Sequence, residues 1–290
     1  MADGGAKAIS IIGFIGTVFS PWYAWSGRGD PEDHCCINVV TSGPGARFAM
    51  TDRGRGALRR SRDCLTIGPS SMRWDGARLI IDLNEISGLP RVARLRGRVT
   101  VTPSALTSVE LPLTADGAHV WRPFAPICRI DVDLDAPERA WSGHGYFDAN
   151  FGTRPLERDF RFWTWGRFPA RDGALCVYDA HLRGGASAER AFHFNPNGSA
   201  EETAAPPRTR FGHSGWRLPL EMRADAGHAP RIVTSMLDAP FYARSVVETR
   251  LGGETVTGMH EALDLDRYAS ALIKPMLAMR VPRRKRWRFG

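Results

Sequence analysis

Arg94-Leu95-Arg96-Gly97-Arg98-Val99-Thr100-Val101 decides the fold class of this chain. Leu95, Gly97, Val99 and Val101 alternate with Arg94, Arg96, Arg98 and Thr100, the two-residue period of a strand with one buried face and one face in water. Just upstream, Met72-Arg73-Trp74 and Leu79-Ile80-Ile81-Asp82-Leu83 flank Asp75-Gly76, a strong hairpin signal. Downstream, Ile130-Asp131-Val132-Asp133-Leu134-Asp135 repeats the alternation. Calcium ligand sets need a tight loop, so these aspartates read as the wet face of a strand.

The same pattern extends in both directions. Cys36–Val40, Phe48–Thr51 and Leu65–Ile67 are short apolar runs between turn signals. Past residue 150, Phe160–Trp165, Ala174–Asp179, Ala191–Phe194, Trp216–Met222, Arg231–Val233 and Val246–Leu251 read as further strands. Glu201 to Arg210 reads as a polar loop, and Asp264 to Met279 as a short closing helix broken at Pro275. With 30 Gly, 20 Pro and 28 aromatic residues among 290, and no long helical period, the chain is all-β. Strands at this spacing build sandwiches or barrels. The length suits two β units in tandem, with a boundary near residue 140.

Hydrophobic residues make up 43% of the chain, enough for a substantial core. The formal charge of +8 is concentrated in Arg280, Arg283, Arg284, Lys285, Arg286 and Arg288; without those six the balance is +2. A nucleic-acid protein would more often carry its basic face on a folded domain, so nucleic acid is not an expected partner. Cations interleaved with Trp287 and Phe289 suit an anionic membrane surface, at about 1 kcal/mol per cation, and equally a solvated tail. Five cysteines without a C-x-x-C read as reduced, mostly buried thiols. Ile9 to Phe19 is too short to span a bilayer and lacks a signal-peptide cleavage pattern. The expected location is cytoplasmic. G-x-G-x-x-G, G-K-[ST], G-x-S-x-G and H-E-x-x-H are all missing, so no cofactor and no metal is expected.

Two stretches carry chemistry. His119-Val120-Trp121 and Tyr146-Phe147-Asp148 each place two loaded side chains at i and i+2, hence on one face of a strand. Taken singly, each has a structural explanation: a core aromatic, a hydrogen-bonded histidine, a turn-forming aspartate. On a regular strand, however, His144, Tyr146, Asp148 and Asn150 share a face, and Gly143 and Gly145 on the other let a neighbour pack close. A carboxyl, an imidazole and electron-rich rings in one pocket suit the protonation of a greasy substrate.

Val18-Phe19-Ser20-Pro21-Trp22-Tyr23-Ala24-Trp25, Gly29–Cys35, Gly143–Phe162, Leu263–Tyr268 and Lys274–Leu277 resemble the bacterial carotenoid 1,2-hydratases, also called hydroxyneurosporene synthases, over roughly residues 9 to 282. The resemblance implies two lipocalin-like β-barrel or sandwich domains in tandem, at 1–140 and 141–279, followed by the basic-aromatic tail 280–290. It implies a cofactor-independent hydro-lyase that adds water to the terminal 1,2 double bond of acyclic carotenoids such as neurosporene and lycopene. The family's His-x-Trp and Tyr-x-Asp pairs fall on His119, Trp121, Tyr146 and Asp148. Relatives often carry His at the position of Phe147, which faces away from Asp148. Asp148 is then the proton donor, Trp121 and Tyr146 stabilise the cation, and His119 orients or deprotonates water; the reverse assignment, or Asp148 holding one tautomer of His119, stays open. A substrate dissolved in the bilayer implies peripheral attachment to the inner, photosynthetic membrane. A polyene cyclase and a non-catalytic carrier of hydrophobic ligands are the competing readings.

Overall fold

The computed structural model describes residues 1–43, 45–88, 92–135 and 140–285. Among these, twenty strands form four antiparallel sheets, the all-β class read from the alternation. β1 (Ile9–Ile15), β2 (Cys35–Thr41) and β3 (Phe48–Ala49) make a small sheet, with helix α1 (Pro21–Trp25) between the first two.

A large sheet follows as a meander. β4 (Leu58–Arg60), β5 (Cys64–Ile67), β6 (Ser70–Trp74), β7 (Leu79–Ile86) and β8 (Arg94–Pro103) pair in order. β9 (Leu111–Pro112) pairs with the long β10 (His119–Leu134), and β11 (Trp141–Gly152) closes the edge. Residue 140, near which two units were expected to meet, lies just before β11; the passage to the next large sheet falls between Gly152 and Phe160. The Asp75-Gly76 hairpin joins β6 to β7, with Trp74 opposite Leu79. In β8 the arginines face out while Leu95, Val99 and Val101 are buried against Ile37, Val39, Ile81, Ile130 and Val132.

The second large sheet takes helix α2 (Leu156–Asp159), then β12 (Phe160–Ala170), β13 (Gly173–Leu182), β14 (Ser187–Phe194) and β15 (Ala200–Glu202). A separate ribbon of β16 (Arg208–His213) and β17 (Pro219–Arg223) precedes β18 (Arg231–Ala239), β19 (Tyr242–Leu251) and β20 (Glu254–Asp264). β20 returns to pair with β12, so the order is β15-β14-β13-β12-β20-β19-β18. Its core holds Trp165, Tyr178, Tyr242, Val246, Met259 and Leu263. β15 and β16 occupy the ends of the segment expected to be a loop.

The closing helix is two helices, α3 (Leu265–Ala269) and α4 (Ile273–Arg280). The break lies at Ser270–Leu272, not at Pro275. Pro275 sits in the first turn of α4, where a missing N–H costs no helical hydrogen bond. Beyond α4 the chain is docked through Lys285. Val281 is buried, Trp22 Nε1 donates to its carbonyl at 2.7 Å, and Arg283 bonds to Asp52, His34 and Asp33. Trp287 and Phe289, with Arg286 and Arg288, lie outside the described residues. All five cysteines are unpaired, and all but Cys64 are buried. No helix among the described residues is long and apolar enough to cross a membrane.

Candidate active site

The site is built on the edge where β10 and β11 meet the second large sheet. β10 buries every second residue from His119 to Ala125, so His119 and Trp121 both point inward. Pro123 and Pro126 interrupt its ladder, and two register shifts against β11 fall at Arg122/Ala125 and Ala125/Cys128. Such bulges bend a strand and free carbonyls. Here Thr107 takes the carbonyl of Pro123, and Arg167 Nε donates to that of Pro126 at 2.8 Å.

β11 serves two cores at once. Phe147 packs into the first, stacked on Phe124 at 5.1 Å between centroids. Tyr146 packs into the second, 4.9 Å from Trp165, and His144 accepts from Arg167 Nη1 at 3.0 Å. The glycines allow this sandwiching. A Cβ on Gly145 would come within 2.7 Å of Ile130, and one on Gly143 within 2.1 Å of the Met1 carbonyl.

Trp121 and Asp148 meet directly: the indole Nε1 donates to Asp148 Oδ2 at 2.8 Å. Asp148 has protein on all sides, keeps part of its surface open to an internal cavity, and forms no ion pair among the described residues. Burial pushes its carboxyl up to about 6; the Trp121 bond opposes this and the charge of Glu261 adds to it. The Tyr146 hydroxyl is pushed well above the usual phenol range, by burial first and then by Glu261 and Asp148.

His119 is brought to the same cavity but to a different partner. Its Nε2 lies 2.7 Å from Asp159 Oδ2, at the end of α2. Its Nδ1 is buried without a hydrogen bond against Gly152, where a Cβ would stand 2.8 Å away. Burial would raise Asp159, but Arg154 and His119 outweigh it and hold the carboxyl below its ordinary value. Asp159 gave no signal in the sequence, since a carboxylate before an aromatic strand reads as a turn former.

The cavity has a volume of about 1120 Å³, at the large end for small-molecule sites. Ile81, Val99, Ile130 and Phe147 line it from the first sheet. From the second sheet, one cross-strand row faces it: Tyr178 opposite Trp165, Trp165 opposite Glu261, Glu261 opposite Arg244. Arg244 bonds Glu261 Oε1 through Nε at 2.8 Å and Nη2 at 2.7 Å. Sequence reading missed this pair. The available signal was a charge at an inward position of each strand, Arg244 between Tyr242 and Val246, Glu261 between Met259 and Leu263. An enclosed acid, aromatic faces and greasy walls can protonate an apolar substrate and shield the resulting cation.

The sequence model of the family described as Carotenoid hydratase CrtC matches residues 11–290. The chain belongs to the carotenoid hydratase family. It is 57% identical over 280 residues to the acyclic carotenoid 1,2-hydratase of Cereibacter sphaeroides, covering 97% of this chain and all of that one. It is 54% identical to the enzyme of the same name from Rhodobacter capsulatus, covering 96% and 99%. The crystal structure of an AttH candidate from Nitrosomonas europaea shares the fold, with a TM-score of 0.59 at 10% identity over 79% of this chain and 80% of that one. The carotenoid hydratase family thus accounts for the whole length over which the site is assembled.

Proposed function

We propose that this chain adds water across the terminal 1,2 double bond of acyclic carotenoids, giving a tertiary 1-hydroxy carotenoid, with Asp148 as the proton donor. One observation carries the assignment of the acid: Asp148 is enclosed, unpaired with any cation of the described residues, and raised to about 6. A carboxyl in that state keeps its proton close to neutral pH, as alkene protonation requires. Trp121 occupies Oδ2, which leaves Oδ1 to carry the proton toward C2. The cation at C1 then faces Tyr146 and Trp165, with Trp121 and Tyr178 5.8 Å apart beside them. Desolvated cation–π attraction of this kind is worth about 2 kcal/mol. His119, held by Asp159, fixes the β10–α2 corner that aims Trp121.

Incubation with lycopene or neurosporene in detergent, followed by chromatography and mass spectrometry, tests this reading. The wild type yields product heavier by one water, and Asp148→Asn yields at most a trace of it. Product of unchanged mass would mark a cyclase. Ligand retained without turnover by both proteins would mark a carrier.

Access to a bilayer-dissolved substrate comes through the helical end. Trp25 on α1, Leu272 just before α4, and Met276 and Met279 on α4 are exposed, and the two helices pack together. Val18, Phe19 and Tyr23, at and before the start of α1, line the cavity, and exposed Arg280 and Lys285 lie beyond Met279. An apolar face with cations at its rim complements an anionic membrane. We place the peripheral contact there. Because residues 281–285 are part of the body, a truncation that tests the basic-aromatic tail has to begin at residue 286.

A further inference from the structure

The reaction needs a second group. Once C2 is protonated and water attacks C1, the new oxonium must lose a proton. Of the cavity's imidazoles, His119 has Nε2 on Asp159 and Nδ1 against Gly152. His144 Nδ1 accepts from Arg167, which can only donate, so in the neutral ring Nε2 carries the hydrogen and offers no lone pair. His144 is held neutral: burial first, then the charge of Arg167, lowers it to about 4.

Glu261 has what the imidazoles lack. Register places it between Trp165 and Arg244 on the cavity face, and Trp165 carries the Tyr146 ring at 4.9 Å. Tyr146 and Asp148 are i and i+2 on β11, so the two carboxyl groups look into one chamber from opposite strands. Asp148, Tyr146, Tyr178 and Tyr242 all feel the charge of Glu261, which puts that charge in their midst. Arg244 grips Oε1, leaving Oε2 outside the ion pair, and the Tyr242 hydroxyl is a further hydrogen-bond partner of Glu261.

We infer that Glu261, anchored by Arg244, is the catalytic base that removes the proton from the attacking water, so that hydration runs between two carboxyl groups on opposite walls of the cavity. The inference rests on Asp148 being the acid. The Asp148 O–H breaks as the C2–H bond forms, the water oxygen bonds to C1, and one water O–H breaks toward Glu261. The proton then returns from Glu261 to Asp148 through a cavity water, so that one water is consumed and nothing is oxidised. Arg244 stays buried beside Glu261 throughout.

The test is turnover of lycopene in detergent and D₂O by the full chain carrying Glu261→Gln, with both product and recovered substrate analysed by mass spectrometry. Hydration falls about 10²–10³-fold in kcat with little change in KM. Deuterium meanwhile continues to enter recovered lycopene, because Asp148 still delivers a deuteron and takes back a proton from the uncaptured cation. Glu261→Asp, which keeps the charge beside Arg244, restores at least tenfold of the lost hydration and guards against misfolding of the Gln variant. Hydration by Glu261→Gln close to wild type overturns the inference. So does a parallel loss of hydration and deuterium exchange in a folded variant that still binds lycopene, and so does an Asp variant no better than Gln. Should Asp148→Asn still hydrate, the failure belongs to the assignment of the acid.

Discussion

Two Arg–Glu pairs among the described residues, Arg53–Glu85 against the first large sheet and Arg244–Glu261 within the second, differ in their surroundings. In the first, Arg53 Nη2 meets Glu85 Oε2 at 2.7 Å, Ser70 Oγ donates to Oε1 at 2.7 Å, and both charged side chains are fully buried. Glu85 is the fourth inward residue of β7, after Leu79, Ile81 and Leu83. Gly68 covers the guanidinium so closely that a Cβ would lie 2.5 Å from Nε. In the second, Arg244 and Glu261 open onto the cavity and leave one carboxylate oxygen outside the ion pair. The same two residue types hold a core together where both carboxylate oxygens are engaged and sealed in, and can take part in chemistry where the pair opens onto a cavity.

The comparison is broken most forcefully from the cavity side. Asp148→Asn should lower hydration by about 10³–10⁴-fold, the upper range for a general acid. The same variant should be more stable than wild type in alkaline buffer. A folded-state carboxyl raised to about 6 from 3.8 contributes stability that is complete below the unfolded value and lost as pH rises through about 6. Its charged form therefore costs about 3 kcal/mol. Equal melting temperatures for the two proteins at pH 8 would contradict the burial of that group.

From the sealed side, Arg53→Met should destabilise by about 3–5 kcal/mol, because it strands the Glu85 charge. Urea unfolding measures this, and Arg53→Met/Glu85→Leu should recover most of the loss while hydration per folded molecule stays at the wild-type level. An activity loss in the double variant would erase the distinction between the pairs. Next in size is pH. With Asp148 as acid, kcat/KM should fall about tenfold per pH unit above about 6, and a flat profile to pH 8 would contradict the assignment. The smallest effect belongs to the helical end. Leu272→Glu/Met279→Glu should reduce sedimentation with anionic liposomes severalfold and leave activity in detergent unchanged.

Much of this was legible in the residues. Alternation in β8 and around Ile130, and the Asp75-Gly76 turn, declare strands and a hairpin without tertiary help, because a half-buried sheet imposes period two on its own sequence. The i, i+2 pairs at 119/121 and 146/148 were visible for the same reason. Partnership was not. Whether His119 meets Asp148 or Asp159 depends on α2, four residues long and without a sequence signature. Arg244 and Glu261 stand at inward positions of their own strands, but only the pairing sets them against each other and Glu261 against Trp165. Arg283 looks like one more cation in a basic run, yet its carboxylates, Asp33 and Asp52, lie more than two hundred residues away.

The pleat of β11 sets the chamber's contents. Sliding that strand by one position would turn Phe147 and Ala149 toward the Trp165 side and carry Asp148 to the face that Phe147 now shares with Phe124. The prolines and irregular pairings of β10 make any other alignment costly. A lesion in that neighbouring strand can therefore silence the enzyme without touching a single reacting group.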